Sequence, residues 1–292
     1  MSQISKIVVL GGDNRQYYMV EQLHQLGFPV AVYGLDMKDL SSVIYEANSI
    51  REAMSFGKIV ICPVPFSKSC EDIFSKSTLD DLTVENLLSY LNEAHILFGG
   101  CIPSKVKEFC NEKKIPYYDL MGDECVTIAN AVATAEGAIL EAIKRSPLTL
   151  HQNRSLVFGY GRCAKILADK LKGLSSKVTI TVRSKEALAM ATAYGFETIP
   201  IADINKYLAE FPFIFNTIPS IIMDAASLSY VQKDVTIIDI ASAPGGLNYE
   251  YCNQMHINAS LCPALPGKYS PKTSAKILND VLLSYLNSLI SS

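Results

Sequence analysis

An apolar run at residues 155–158 breaks at Gly159-Tyr-Gly161-Arg-Cys-Ala164 and resumes as a helix-forming segment over 165–171. No other stretch limits the fold so tightly. A strand that turns on two glycines directly into a helix opens a βαβ unit, whose strands pair in parallel. Gly159 permits the tight turn, Gly161 lets backbone approach a ligand, and Ala164 allows the helix to pack closely on the strand. The helix N-terminus then presents N–H groups and a partial positive charge, a seat for phosphate. The competing reading is a turn with no role beyond structure.

The same rhythm runs through the whole chain. Strand-like runs in the first half are 7–10, 29–33, 58–62, 95–98 and 116–120, with helices at 15–26, 84–91 and 104–113. A Pro-free, Ala- and Leu-rich stretch, 124–144, follows as a connecting helix. The second half repeats the pattern with strands at 155–158, 177–183, 197–199, 213–217, 235–240 and 259–262, and a terminal helix at 274–289. The polar stretch 66–81 resists assignment. Alternation of this kind predicts an α/β chain of two Rossmann-like doubly wound domains with a cleft between them. The first domain is expected over 1–126, rejoined by a C-terminal helix at 270–292. The second, which binds the nucleotide, is expected over 127–269 and is entered through the connecting helix.

Composition excludes several classes. With 26 Lys and Arg against 29 Asp and Glu, the net charge of −3 favours neither nucleic acid nor an anionic membrane. Eight Cys are scattered without a C-x-x-C pair and only four His occur, so no metal site is expected. Residues 1–6 run straight into strand 7–10 with no secretory leader, and no apolar run approaches a membrane span of roughly 18 residues. A cytoplasmic protein with buried thiols follows. His24, His95, His151 and His256 join no motif with a carboxylate and read as structural. The His–carboxylate pair of 2-hydroxy-acid dehydrogenases is not visible.

The strand after the glycine turn indicates which nucleotide. It ends Thr181-Val-Arg183-Ser184, without the carboxylate that bonds a ribose 2′-hydroxyl in NAD enzymes. Arg183 instead offers a planar cation and Ser184 a hydroxyl for a 2′-phosphate, which points to NADP(H). The expected cofactor residues are Gly159, Tyr160, Gly161, Arg162, Cys163, Arg183 and Ser184. The strand-end loops add Asn216, Thr217, Ile218, Pro219 and Ala241, which would border the nicotinamide; on composition alone these loops read equally as ordinary turns.

The first half opens with a superficially similar turn, Gly11-Gly-Asp-Asn-Arg-Gln16. It lacks the third small residue, and Asp13 reads as a helix N-cap. Arg15 in the first helical turn opposes the helix dipole by about 0.3–1 kcal/mol. Either it meets a substrate carboxylate or it bridges a local acid such as Asp13. A loop at 265–273 carries Lys268 and Lys272. Glu136 sits among small residues at 133–138, either facing a ligand or on a solvated helix face.

Taken together, the motifs at 11–16, 134–137, 159–162, 216–220, 241–246, 265–267 and 271–273 resemble one family, the A subunit of dipicolinate synthase from spore-forming bacteria. The resemblance covers essentially the whole chain. Ala164 stands where a third Gly is common, and Ala243 where some relatives carry a basic residue. Membership would imply an NADP-dependent oxidoreductase that converts a dihydrodipicolinate-type ring to pyridine-2,6-dicarboxylate during sporulation. It would also imply a flavoprotein-like partner, the B subunit of dipicolinate synthase, and action in the mother-cell cytoplasm. On that reading Arg15 and Lys268, with Ser242, bind the small dicarboxylate, while Lys272 and Glu136 serve the catalytic step. Two other readings stay open. One is an NADP-linked reductase of another cyclic or keto acid, since Asn216-Thr-Ile-Pro219 is also similar to shikimate-dehydrogenase-like domains. The other is a non-catalytic nucleotide-binding subunit that activates its partner. A homo-oligomer is compatible with each.

Overall fold

Short β-rich runs buried on both faces, such as Ile7–Leu10 and Val30–Tyr33, can be satisfied only in the middle of a sheet with helices on either side. The computed structural model describes residues 6–36 and 44–291. The reading of residues 1–5 as leading straight into the first strand lies outside them, as does the side chain of Leu289. The chain divides into two units, 1–129 with 270–292 and 130–269.

In the first unit the elements are β1 (Ile7–Leu10), α1 (Asn14–Gln25), β2 (Val30–Tyr33), β3 (Tyr45–Glu46), α2 (Ile50–Phe56), β4 (Ile59–Ile61), α3 (Val84–Tyr90), β5 (Ile96–Gly99), α4 (Ser104–Glu112) and β6 (Tyr117–Asp119). All strand pairs are parallel, in the order β3-β2-β1-β4-β5-β6. The chain order reverses between β1 and β4, the switch point at which such sheets open a crevice. A 22-residue helix, α5 (Glu124–Arg145), leads out of this unit, and the unit boundary falls inside it.

The second unit continues with β7 (Arg154–Phe158), α6 (Arg162–Gly173), β8 (Lys177–Val182), α7 (Lys185–Ala193), β9 (Glu197–Pro200), β10 (Phe213–Asn216), α8 (Ala225–Leu228), β11 (Thr236–Asp239), α9 (Tyr249–Gln254), β12 (Asn258–Leu261) and α10 (Leu265–Tyr269). Its sheet is again six-stranded and parallel, ordered β12-β11-β10-β7-β8-β9. The switch point lies between β7 and β10. The last helix, α11 (Pro271–Ser291), belongs to the first unit.

Core side chains alternate between the two faces of each sheet. In the first unit Ile7, Val9, Val30 and Val32 meet Met19 and Leu23 of α1 and Leu278 and Leu282 of α11, while Val8 and Leu10 face α2 and α3. Buried Asn279 fixes α11 in register, its Nδ2 donating to Met19 O at 3.2 Å and Gln22 Oε1 at 3.0 Å. Pro271 starts α11 three residues ahead of the sequence expectation; at a first helical position its missing N–H costs nothing.

Six of these elements escaped the sequence reading. Strand β3 is two residues long and exposed, helices α2, α7, α8 and α9 run for only seven, nine, four and six residues, and α10 turns helical where 265–273 reads as one loop. Contrary to the sequence expectation that no run approaches a membrane span, helix α5 is long and apolar enough to span one by length and composition; half of that stretch is buried within the protein, as in a core helix. Its Ala135, Ala138 and Ala142 pack into the second unit's core. A Cβ on Gly137 would stand 2.8 Å from the Leu265 side chain, so the small residue allows α5 and α10 to touch.

Candidate functional site

At the end of β7, Gly159 adopts φ +95, a conformation that an L side chain rarely takes. A Cβ there would also lie 2.5 Å from Thr217 Oγ1. Gly161 is the N-cap of α6 and contributes no side-chain hydrogen bond, and a Cβ built on it meets nothing within 4 Å. The turn therefore leaves the first N–H groups of a 12-residue helix without a side-chain cap and with open space before them. That cradle suits a phosphate. Arg162 and Cys163 open the helix; burial pushes the Cys163 thiol up, so it stays protonated near neutrality. The Tyr160 ring is largely buried and packs edge-on against Phe196.

Strand order brings four of the expected segments side by side, because β8 and β10 flank β7 and β11 flanks β10. Past β8, Arg183 is exposed and forms no ion pair among the described residues. Ser184 caps α7, accepting from Ala187 N at 3.1 Å while donating to Glu186 Oε2 at 2.6 Å. Sequence reading missed that acid, which lies two residues beyond Ser184. After β10, Thr217 Oγ1 donates to Phe158 O at 2.8 Å and ties this loop to the glycine strand.

A buried cluster fixes the loops after β10 and β11. Asp239 is wholly buried and accepts from Asn216 Nδ2, Ala241 N, Gly246 N and Tyr249 Oη, all between 2.7 and 2.9 Å. Burial first, then the bond to Asp239, pushes the Tyr249 hydroxyl far above its usual range, so it remains a donor. A Cβ at Gly246 would lie 2.3 Å from Asn216 Nδ2, and one at Gly245 2.7 Å from Asp239 Oδ2. Asn216, Ala241 and Gly246 thus share one carboxylate as their anchor. Asp239 was legible as a polar residue closing an apolar strand, yet no linear motif marks it. Ser242 lies just beyond on the exposed part of the loop.

Two sequence expectations change here. Lys268 is not a free anchor: its ammonium lies 2.5 Å from Glu141, whose side chain is 4% exposed. Arg145 and the Tyr269 hydroxyl bind the same carboxylate. Hydrogen bonds from Lys268 and Tyr269 lower the Glu141 pKa to about 2, and Lys268 itself is pushed up to about 12. Glu136 is on the solvated face, paired with Lys170 at 2.9 Å. Lys170 is nine residues along α6 from Gly161, about 13.5 Å of helix rise at 1.5 Å per residue, so the Glu136–Lys170 pair sits toward the far end of that helix.

In the first unit the turn after β1 is filled from within. Asp13 caps α1 in a reciprocal arrangement with Gln16, which accepts from Asp13 N at 3.0 Å. The Asp13 carboxylate also takes the Arg15 guanidinium by both oxygens, at 3.0 Å from Nε and 2.7 Å from Nη2. Burial works against the charged acid, and the Arg15 bonds overcome it and hold the Asp13 pKa below 3.8. Of the two readings for Arg15, the local bridge is the one present. Lys272 is exposed, with Nζ 5.7 Å from the centre of the Tyr18 ring. Tyr18 in turn borders a pocket of about 450 Å³ at the ends of β1 and β2, lined also by Asn14, Asp36 and Lys76. Lys76 donates to Asn14 Oδ1 at 2.7 Å. It comes from the unassigned polar stretch, whose Ser75 bridges Gly12. Nothing in the linear sequence signals that this loop returns to β1.

Among the described residues no group of acids, His and Cys could hold a metal ion, and all eight Cys are free. Four of them are buried, while Cys70, Cys101 and Cys125 are exposed, so the thiols are less uniformly interior than composition suggests.

Residues 6–121 match the family model for the N-terminal domain of the dipicolinate synthase A subunit. The chain is 28% identical to the A subunit of dipicolinate synthase from Bacillus subtilis (strain 168), over 96% of this chain and 95% of that protein. The crystal structure of the corresponding A subunit from Bacillus halodurans superposes with a TM-score of 0.88 at 25% identity, covering 98% of this chain and 99% of that one. A transhydrogenase from Sinorhizobium meliloti shares the fold, with a TM-score of 0.69 at 11% identity over 98% of this chain and 94% of its own.

Proposed function

We propose that this chain, which resembles the A subunit of dipicolinate synthase along its whole length, is an NADP(H)-dependent dehydrogenase component working on a dihydrodipicolinate-type ring. The observation that carries the cofactor is the exposed Arg183, free of ion pairs among the described residues, at the end of the strand beside the uncapped glycine turn. Gly159 and Gly161 would seat the diphosphate and Arg183 the 2′-phosphate. When bound, the nicotinamide supplies the hydride acceptor. The residues around it need mainly to hold a rigid dicarboxylate in place, and correct placement contributes much of the rate. Arg15 and Lys268 are both engaged by acids, so Lys272 and Lys76, both near Tyr18, are the better candidates to meet a carboxylate. No side chain here is assigned as a general base. The likeness alone supports a second type of subunit in the enzyme, and location in the mother-cell cytoplasm.

Calorimetric titration tests the cofactor. NADP(H) should bind at least about tenfold tighter than NAD(H), about 1.4 kcal/mol, and Arg183→Asp should erase or reverse the difference. Equal affinities in the wild type would end the NADP reading. Nicotinamide absorbance, followed with the dihydro ring acid and with or without the second subunit, tests the reaction.

A further inference from the structure

The outer face of α5, α6 and α7 in the second unit is more apolar than a solvent surface needs to be. Val132 is 39% exposed, Met190 49% and Tyr194 65%. With Ile166 and Phe196 they border a groove of about 560 Å³. Projecting side chains and a recess thus lie on one patch, and contiguous apolar patches of this kind mark contact surfaces.

The charges on the patch indicate what covers it. Lys165 and Asp169 lie one turn apart on α6, both exposed, and neither forms an ion pair among the described residues. Lys165 instead stands over the Tyr160 ring at 5.4 Å. Beside them Lys170 pairs with Glu136. The rim therefore carries two cations and two anions. A partner of strong single charge would gain as much repulsion as attraction from it. A second copy would not: a two-fold axis crossing α6 between Lys165 and Asp169 sets each against its opposite in the other copy. Such an interface is isologous, using one self-complementary patch twice.

We propose that this chain self-associates as a two-fold dimer through the α5–α6–α7 face of its second unit, with reciprocal Lys165–Asp169 pairs across the axis. The inference is independent of the cofactor and the reaction.

Sedimentation velocity on the full chain over a concentration series tests it. Wild type should sediment as a dimer. Asp169→Lys sets like charges together and should raise the dissociation constant about tenfold or more. The exchange Lys165→Asp with Asp169→Lys restores opposite charges across the axis and should recover the dimer. Rescue by the double exchange separates pairing from a folding defect, which two changes would deepen. Met190→Ser with Tyr194→Ser removes the apolar contacts and should also give monomer with an unchanged circular dichroism spectrum. A wild type that stays monomeric overturns the proposal. So does a dimer that both Asp169→Lys and the Met190–Tyr194 double change leave intact.

Discussion

Both units place a glycine-containing turn between a buried parallel strand and a 12-residue helix, yet the two turns have opposite chemistry. After β7 the N-cap is Gly161, with no side chain and empty space in front of it. After β1 it is Asp13, which fills the same seat with its own carboxylate and draws in Arg15 to neutralise it. A helix N-terminus attracts negative charge in either case. The second unit leaves that demand for a ligand; the first satisfies it internally. Strand order and helix length do not separate a binding site from a scaffold here. One capping residue does.

Breaking the filled turn should produce the largest effect. Asp13→Ala removes the cap and strands the nearly buried Arg15 guanidinium, at a combined cost of about 3 kcal/mol. Because the folded pKa of Asp13 is depressed, its contribution is present above pH 3.8 and disappears as pH falls below that. Wild type and Asp13→Ala should therefore converge in urea denaturation as acid is added. Curves that keep a constant separation down to low pH would show that the ionised Asp13 is not what stabilises the fold. Should Asp13→Ala instead melt normally and lose turnover, Arg15 and Asp13 belong to the substrate site.

Installing the first unit's device in the second sharpens the contrast. Gly161→Asp has room for its side chain and should cap α6. Melting temperature should hold or rise, while nucleotide affinity falls about a hundredfold, about 2.7 kcal/mol, as carboxylate replaces phosphate. Unchanged nucleotide affinity would mean that this turn is as structural as its counterpart.

The smallest effect concerns Glu141, one of the acids that the second unit buries. Glu141 titrates near 2, so the stability it adds is complete above its ordinary value of 4.5 and is lost as pH falls toward 2. Glu141→Gln should cost about 1 kcal/mol at neutrality, discounted because Lys268 is half exposed, and should flatten the acid limb of the stability curve. An unchanged acid limb would assign that slope to other carboxylates.

Much of this was legible in the residues. Period and turn chemistry located both sheets, since a parallel strand must be apolar on both faces and must be followed by a helix. The glycine turn and Arg183 stand out because each breaks a local rule. What stayed hidden was long-range. Lys268 reads as a loop cation, and only the fold shows that Glu141, 127 residues away, already holds it; for Arg15 the sequence leaves the Asp13 bridge open beside a substrate carboxylate, and the fold contains the bridge. Lys76 and Asp239 matter through neighbours that sequence spacing does not reveal. Strand β3 and helix α2 are too short for periodicity to register.

The first unit is closed by the last helix of the chain. Leu278, Leu282 and Leu286 of α11 complete the layer that Met19 and Leu23 of α1 begin, so a ribosome exposes the opening strands long before their cover exists. The second unit, contiguous from 130 to 269, has all its strands as soon as its own segment emerges. The half made first is therefore finished last, with an apolar flank open throughout synthesis. A stalled nascent chain ending at residue 269 should accordingly be cut by protease within 1–129 and resist it within 130–269; equal resistance in both would show that α11 is dispensable to the half it closes.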